Sequence, residues 1–178
     1  MNWDELFIRQ AMLIAEKSKD PSTKVGCVIV GQDNAILSMG FNGFPRGVHE
    51  EDVSQVRVGP DGDPAHPFAY LIEKRVLNDR WDRPQKYSWV EHAERNAIYN
   101  AARHGIKIAG AKAYLNWEPH PCADCCRGLI QAGIVEIIGP DIVFPGAGSG
   151  TSYHITYSQQ MCEEANVFIR RVPWDKHV

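Results

Sequence analysis

Two short clusters contain the residue types that could carry chemistry. The first is His92-Ala93-Glu94 and the second is Pro121-Cys122-Ala123-Asp124-Cys125, each at the predicted start of a helix. Cys122 and Cys125 are three residues apart, so their thiolates share a helix face close to the favourable dipole of the helix N-terminus. With the imidazole of His92 they would give one zinc ion three protein ligands. The fourth tetrahedral position would stay open to water, which is typical of catalytic zinc.

The presence of Glu94 indicates a catalytic metal site rather than a purely structural one. At the start of a helix, its side chain can converge with that of His92 on a point beyond the N-terminus. The carboxylate could then take a proton from water whose pKa zinc lowers to roughly 7. The pattern therefore indicates a hydrolytic zinc centre with Glu94 as its acid and base.

Other interpretations of the cysteines stay open at this point. A C-x-x-C motif is also typical of half a structural zinc knuckle or of two buried thiols. His120 could complete a closed four-ligand site with His92, although such a site has no use for Glu94. The remaining cysteines are interpreted as small core residues rather than ligands: Cys27, Cys126 and Cys162.

The elements that must position these clusters alternate between strands and helices. Helical spacing predicts a first helix from Trp3 to Ile14, and a hairpin follows with strands 25–30 and 35–41. Beyond residue 90 we expect, in order, a helix over 91–105, a strand over 113–115, a helix over 121–133, a strand over 135–138, a helix near 158–165 and a strand over 167–172. Such alternation predicts an α/β sandwich whose second half is largely parallel.

The stretch from about His49 to Trp89 differs in character. It contains acidic residues, the turn-rich segment 59–64 and one predicted helix from Ala69 to Trp81. We interpret it as an insertion, at about 49–89, within a single domain that spans residues 1–178.

Length, composition and charge narrow the function classes. The 178 residues are 44% hydrophobic and carry a net charge of -3, which suits one soluble domain and disfavours a dedicated nucleic-acid or membrane-surface protein. A small ligand is expected. The five cysteines are an odd number, the acidic start at 1–5 does not resemble a signal peptide, and no long apolar run occurs. These features predict a cytoplasmic protein with no membrane partner.

The two clusters together match the H-x-E and P-C-x-x-C signature of zinc-dependent nucleobase deaminases, and the sequence resembles that superfamily. Within it, four segments resemble the deoxycytidylate (dCMP) deaminase family. They are Asp20-Pro21-Ser22-Thr23-Lys24-Val25-Gly26, Phe41-Asn42-Gly43-Phe44-Pro45-Arg46-Gly47, His92-Ala93-Glu94-Arg95-Asn96-Ala97-Ile98 and Gln131-Ala132-Gly133-Ile134. The resemblance covers roughly residues 3–172, apart from the insertion.

This resemblance implies a fold, a reaction and a set of site residues. The fold is a cytidine-deaminase-like three-layer α/β/α sandwich with a central mixed five-stranded sheet. The reaction is zinc-dependent deamination of dCMP to dUMP and ammonia, in pyrimidine deoxynucleotide metabolism. The implied zinc ligands are His92, Cys122 and Cys125, and the implied catalytic residue is Glu94. Substrate contacts are expected from Lys24, Asn42, Arg46, the backbone of Ala93 and the aromatic ring of Tyr153.

The family also commonly forms dimers or hexamers, and its members can bind dCTP or dTTP as effectors on the side of the insertion. We therefore expect a homo-oligomer and an effector of this kind. Two other deaminase activities are compatible with the motifs: action on another cytosine nucleotide (dCTP, CMP or a modified dCMP), and action on a base in nucleic acid. The non-enzyme alternative is a structural zinc module that binds a protein partner.

Overall fold

Five strands form one mixed sheet in the computed structural model, which describes residues 1–142 and 152–174 apart from 64, 66, 67, 69 and 78. In chain order the elements are α1 (Trp3–Ala15), β1 (Gly26–Val30), β2 (Ile36–Phe41), β3 (Glu51–Val58), β4 (Tyr70–Leu77), a 3-10 turn (Asp79–Trp81), α2 (Lys86–Trp89), α3 (Ala93–Arg103), β5 (Lys112–Leu115), α4 (Ala123–Gln131), β6 (Glu136–Asp141), α5 (Ser152–Glu164) and β7 (Phe168–Pro173). The strand order is β2-β1-β5-β6-β7. Pairing is antiparallel among β2, β1 and β5 and parallel among β5, β6 and β7, so the predicted mixed sheet is confirmed.

Helices cover both faces of this sheet, which explains why β1 is an unbroken apolar run with every residue buried. Val28 and Val30 point into a core formed with α1, around Phe7. Cys27 and Ile29 point into the opposite core, to which α3, α4 and α5 contribute. The three predicted layers are therefore present. Helix α5 begins at Ser152, six residues before its predicted start near 158.

Side-chain hydrogen bonds fix α3 to the edge strand β2. The amide nitrogens of Asn96 and Asn100 donate to the carbonyl oxygens of Phe41 and Met39, at 2.8 and 2.7 Å. The Ser38 hydroxyl donates to a carbonyl of α3 at 2.7 Å. The two asparagine bonds give partners to carbonyl groups of an edge strand. All three bonds together fix the position of α3, the helix that follows His92.

Gly40 lies where the backbone of β2 meets the backbone of α3. A Cβ added there would lie 2.3 Å from the amide nitrogen of Ala97 and 2.4 Å from the carbonyl oxygen of Ala93. We expect Gly40→Ala to lower the free energy of unfolding by about 1–3 kcal/mol, since the helix must move to admit the methyl group. Urea unfolding would measure the loss.

The matched control is Gly128→Ala, in the middle of α4. An added Cβ at Gly128 meets side-chain atoms at ordinary contact distances, the end of Ile98 at 3.4 Å and Cγ of Arg95 at 3.9 Å, and alanine favours helix by up to about 1 kcal/mol. The control variant should therefore be as stable as the parent or slightly more stable. Equal stability of Gly40→Ala and the parent would show that the packing of α3 on β2 is looser than described.

The chain divides into two compact units, of which the first comprises residues 1–43 and 91–178 and the second is Phe44–Val90. The second unit includes the whole stretch from His49 to Trp89. Its long element is a two-stranded antiparallel ladder of β3 and β4, from Glu51 opposite Leu77 to Val58 opposite Tyr70. Phe44, Trp81 and Val90 form its small apolar cluster, in which the rings of Phe44 and Trp81 stack.

The predicted helix from Ala69 to Trp81 is wrong. Residues 70–77 form strand β4, and only Asp79–Trp81 make a single 3-10 turn. The spacing of Leu71, Ile72 and Val76 fits either element. Pairing with β3 decides between helix and strand. Val56 of β3 lies opposite Ile72 of β4, so the deciding contact comes from outside the segment itself.

Within the part of the chain that the structure describes, no helix has both the length and the apolar character needed to cross a bilayer.

Candidate metal centre and active site

Two helix starts meet at the predicted metal site. His92 is the N-cap residue of α3, Cys122 is the N-cap residue of α4, and Cys125 lies in the first turn of α4. Nδ1 of His92 is 3.4 Å from Sγ of Cys122 and 3.4 Å from Sγ of Cys125. All three ligand atoms lie within 4.8 Å of one another.

The donor set fits zinc. Tetrahedral zinc, at about 2.3 Å from sulfur and about 2.0–2.1 Å from nitrogen, holds a sulfur and a nitrogen ligand about 3.5 Å apart, close to the separations found here. Two thiolates and one neutral imidazole are also ligands that zinc prefers. This trio is the one group of three or more such side chains that the described residues bring within range of a single ion.

His120 does not join the cluster. Its Nδ1 lies 3.0 Å from a carboxylate oxygen of Glu118, and its Nε2 lies 3.1 Å from the side-chain amide of Gln159. Both ring nitrogens are thus engaged away from the trio. This arrangement counts against the closed four-ligand site and favours a centre with an open position.

The two cysteines share a proton when no metal is bound. Mainly because the Cys125 thiol donates a hydrogen bond to it, the pKa of Cys122 falls to about 4, and His92 adds a second hydrogen bond. The same contact raises the pKa of Cys125. Both sulfurs can bind zinc only after that shared proton has left. Zinc binding therefore releases protons, and the affinity for zinc increases as the pH rises.

Glu94 is buried beside the trio, in the first turn of α3, with 6% of its surface exposed. Burial raises the pKa of this carboxyl, while the charge of His92 and a hydrogen bond from Cys125 act in the opposite direction. The net direction is a raised pKa, as is common for a carboxyl that is largely removed from water. The role of Glu94 as acid and base stays a prediction.

Arg95 is a feature that sequence reasoning missed. Its guanidinium makes a two-point contact with Glu91, at 3.0 and 2.8 Å, and lies 3.6 Å from Asp124. Arg95 thereby ties the segment before His92 to the first turn of α4. Burial lowers its pKa, but the charges of Cys125 and Glu91 outweigh that effect and the net pKa is raised. The four-residue spacing from Glu91 to Arg95 is the signal that could have found it.

Replacement of Arg95 by glutamine should weaken zinc binding by about 10- to 100-fold, the usual cost of losing a group that orients metal ligands. Competition with a chromophoric chelator would measure the affinity. The matched control is Arg127→Gln, because Arg127 also pairs with Asp124 but is 60% exposed. Unchanged zinc affinity in Arg95→Gln would show that the contacts to Glu91 and Asp124 do not help to position the ligands.

Asn42, a predicted substrate residue, is buried and its side chain is used within the fold. Its amide oxygen accepts from the backbone of Val25 at 2.8 Å, and its amide nitrogen donates to the Asp20 carboxylate and to the Thr23 carbonyl, both at 2.9 Å. The next residue, Gly43, exchanges two backbone hydrogen bonds with Glu91. Asn42 therefore fixes the loop that runs beside the residue preceding His92.

The other predicted contacts are placed as follows. Ala93 is fully buried as the first residue of α3. Lys24 is half-exposed and lies 3.5 Å from Glu16. Arg46 is exposed in a turn of the second unit. Tyr153 belongs to α5, but its side chain lies outside the described residues. The structure brings His92, Glu94, Cys122 and Cys125 together and leaves the roles of the substrate residues as predictions.

Residues 1–139 match the family model described as the cytidine and deoxycytidylate deaminase zinc-binding region. The chain belongs to this family of zinc-binding deaminases, and zinc is its cofactor.

The chain is similar to the deoxycytidylate deaminase of Mus musculus, with 34% identity over 138 residues, which are 78% of this chain and 64% of the mouse protein. It thus spans less than two thirds of that relative. With an uncharacterized deaminase of Aliivibrio fischeri it shares 32% identity over 174 residues, or 97% of this chain and 95% of that protein. A dCMP deaminase from the cyanophage S-TIM5, solved with dCMP and dUMP, has the same fold, with a TM-score of 0.61, 23% identity and coverage of 94% and 95% of the two chains.

Proposed function

We propose that this protein is a hydrolase that converts dCMP and water to dUMP and ammonia. The observation that carries the proposal is the buried Glu94 carboxyl next to an open trio of His92, Cys122 and Cys125. Membership of the deaminase family and similarity to proteins named deoxycytidylate deaminase support the choice of reaction and substrate.

Bound zinc would supply a Lewis acid that makes hydroxide available at neutral pH. Glu94 would move the protons. Its carboxylate takes one proton from water as the oxygen adds to carbon 4 of the cytosine, and it passes that proton to the ring nitrogen. The same carboxyl then delivers the second proton of the water to the amino group, which leaves as ammonia. One buried group thus acts as base and as acid, and no other proton donor is required.

The chain's backbone would orient the base at this point. The amide nitrogen of Cys122 lies at the start of α4, where amide groups have no partner within the helix and favour an oxygen carrying negative charge. The backbone of Ala93 would contact the ring amide. Lys24 and Arg46 are the proposed cations for the 5′-phosphate, and Asn42 is a further proposed contact, to the sugar or phosphate. Tyr153 would cover the sugar or the ring.

The competing functions fit less well. A structural zinc module has no use for a buried carboxyl beside an open three-ligand set. A deaminase that acts on nucleic acid needs a basic surface to hold the backbone, whereas the chain has 19 Lys plus Arg against 22 Asp plus Glu. CMP and dCTP differ from dCMP only in the sugar or the phosphates, away from carbon 4, so they and a modified dCMP are the strongest competing substrates.

A substrate panel tests the proposal. Zinc-loaded protein is incubated separately with dCMP, CMP, deoxycytidine, dCTP and a cytosine-containing oligonucleotide, and ammonia release and loss of cytosine absorbance are followed. We expect kcat/KM to be highest for dCMP. No turnover of any compound would refute the deaminase proposal, and a preference for the oligonucleotide would refute the choice of a free nucleotide.

Assembly and regulation extend the same proposal. We propose that the chain forms a homo-oligomer, a dimer or a hexamer, and binds dCTP or dTTP as an effector on the side of the second unit. The support is the resemblance of segments 20–26, 41–47, 92–98 and 131–134 to the dCMP deaminase family. Sedimentation with and without dCTP or dTTP would measure both properties.

A further inference from the structure

Two cysteines that are not among the proposed zinc ligands lie in contact with each other. Cys126 on α4 and Cys162 on α5 have their sulfur atoms 3.4 Å apart, and their exposed fractions are 0% and 1%. The Cys126 thiol also lies 3.4 Å from the carbonyl oxygen of Ser158, one turn before Cys162. Sequence reasoning treats both as ordinary core residues, whereas the structure makes them a pair.

This dithiol pair, Cys126 and Cys162, is distinct from the metal ligands. Cys126 follows Cys125 directly, so the two side chains leave α4 in directions about 100° apart. Cys125 points to His92, while Cys126 points to α5 and belongs to the apolar core. Chemistry at the pair therefore leaves the ligand atoms of the zinc centre in place.

We propose that the dithiol pair is a reversible disulfide site whose oxidant is hydrogen peroxide. Disulfide sulfurs are about 2.05 Å apart, so a small approach of α4 and α5 suffices. In the first step the Cys162 sulfur attacks peroxide, the O–O bond breaks, and a sulfenic acid and one water form. In the second step the Cys126 sulfur attacks the sulfenic sulfur, the S–S bond forms and a second water leaves. The two thiols lose two protons and two electrons, which together reduce one peroxide to two waters.

A cavity that adjoins Cys162 offers hydrogen peroxide a way to approach the pair. Cys162 lines a cavity of about 750 Å³, and the polar side chains of His120, Gln159 and Arg171 line it too. Peroxide is scarcely larger than water and forms hydrogen bonds to such groups. Because Cys162 lines this cavity and Cys126 is not among its lining residues, we assign Cys162 as the thiol that reacts first and Cys126 as the one that resolves the sulfenic acid.

The expected product is a covalent link between α4 and α5 with the zinc ligands intact. The link closes the chain from residue 126 to residue 162, including the segment 143–151, and so restricts the unfolded state. We expect the oxidised protein to melt at least about 5 °C higher than the reduced protein. A dithiol reductant should restore the original melting temperature.

The test is titration of zinc-loaded protein with hydrogen peroxide, followed by alkylation in denaturant, peptide mapping by mass spectrometry and a chromophoric assay for released zinc. We expect a Cys126–Cys162 peptide, two thiols lost and no zinc released. Cys162→Ala and Cys126→Ala should each abolish the cross-link. Cys27→Ala, which removes another buried thiol, should leave it unchanged.

Three results would overturn the proposal. The first is a Cys122–Cys125 cross-link with zinc release while Cys126 and Cys162 remain open to alkylation. The second is sulfinic acid at Cys162 without a cross-link. The third is full alkylation of all five cysteines in parent protein treated with excess peroxide. The peptides are mapped on the parent protein, so the outcome does not depend on whether a variant folds.

Discussion

Glu94→Gln is expected to lower kcat/KM for dCMP by about 100- to 10,000-fold while the protein keeps its zinc. Glutamine preserves the size and polarity of the side chain, but it cannot accept a proton from water or return one to the leaving amine. Because the carboxyl is buried and serves both steps in the proposed reaction, no exposed group can replace it. Steady-state deamination of dCMP, with zinc content measured on the same samples, checks the prediction.

The matched control for this variant is Glu163→Gln, an exposed glutamate on α5. The kcat/KM of this variant should equal that of the parent within about twofold, since the substitution replaces an exposed charge that has no part in the proposed proton transfers by a polar group. If Glu94→Gln turned over dCMP at a rate close to that of the parent, the assignment of Glu94 as acid and base would be wrong. Loss of zinc together with activity would instead make Glu94 a group that supports the metal.

Cys125→Ala is expected to lower the affinity for zinc by at least about 100-fold and to abolish deamination. The substitution removes one of three ligands, and zinc retained by one sulfur and one imidazole exchanges readily with solvent and chelators. Zinc content after dialysis against a weak chelator gives the result. A lower melting temperature should accompany the loss, because zinc no longer stabilises the folded state by mass action.

Cys126→Ala provides the control from the neighbouring position on the same helix. Cys126 is as deeply buried as Cys125 but points towards α5, so its removal should leave zinc content unchanged. Equal zinc content in Cys125→Ala and the parent protein would contradict the proposed ligand set. Zinc loss in both variants would indicate that the packing of α4, rather than the ligand, had been tested.

The metal trio is predictable because its signals are local. His92 and Cys122 are themselves the N-cap residues, and the helix starts that present them are marked in the neighbouring sequence. The parallel half of the sheet is predictable for a similar reason, since strands and helices alternate with clear periodicity after residue 90. Local pattern also indicates the first helix, whose Asn2 and Glu5 form the reciprocal capping hydrogen bonds that their spacing predicts.

Features decided by distant contacts escape such reasoning. The segment of β4 has an apolar spacing that suits a helix as well as a strand, and its partner β3 lies beyond a turn. The family motif suggests a substrate contact for Asn42, but its side chain is engaged by Asp20, Thr23 and Val25. The two cysteines of the dithiol pair are 36 positions apart in the chain, a proximity that no local pattern encodes. The oligomeric state, the effector and the contacts of Lys24, Arg46 and Tyr153 stay predictions.

Deamination of dCMP in water enriched in oxygen-18, with the product analysed by mass spectrometry, tests zinc-dependent hydrolysis at the reacting atoms. We expect dUMP carrying one oxygen-18 atom, one ammonia for each dUMP, and no product from protein stripped of zinc. Unlabelled dUMP, or product formation that does not depend on zinc, would contradict a zinc-dependent hydrolytic mechanism. Failure of the zinc-loaded protein to consume dCMP would contradict the proposed substrate.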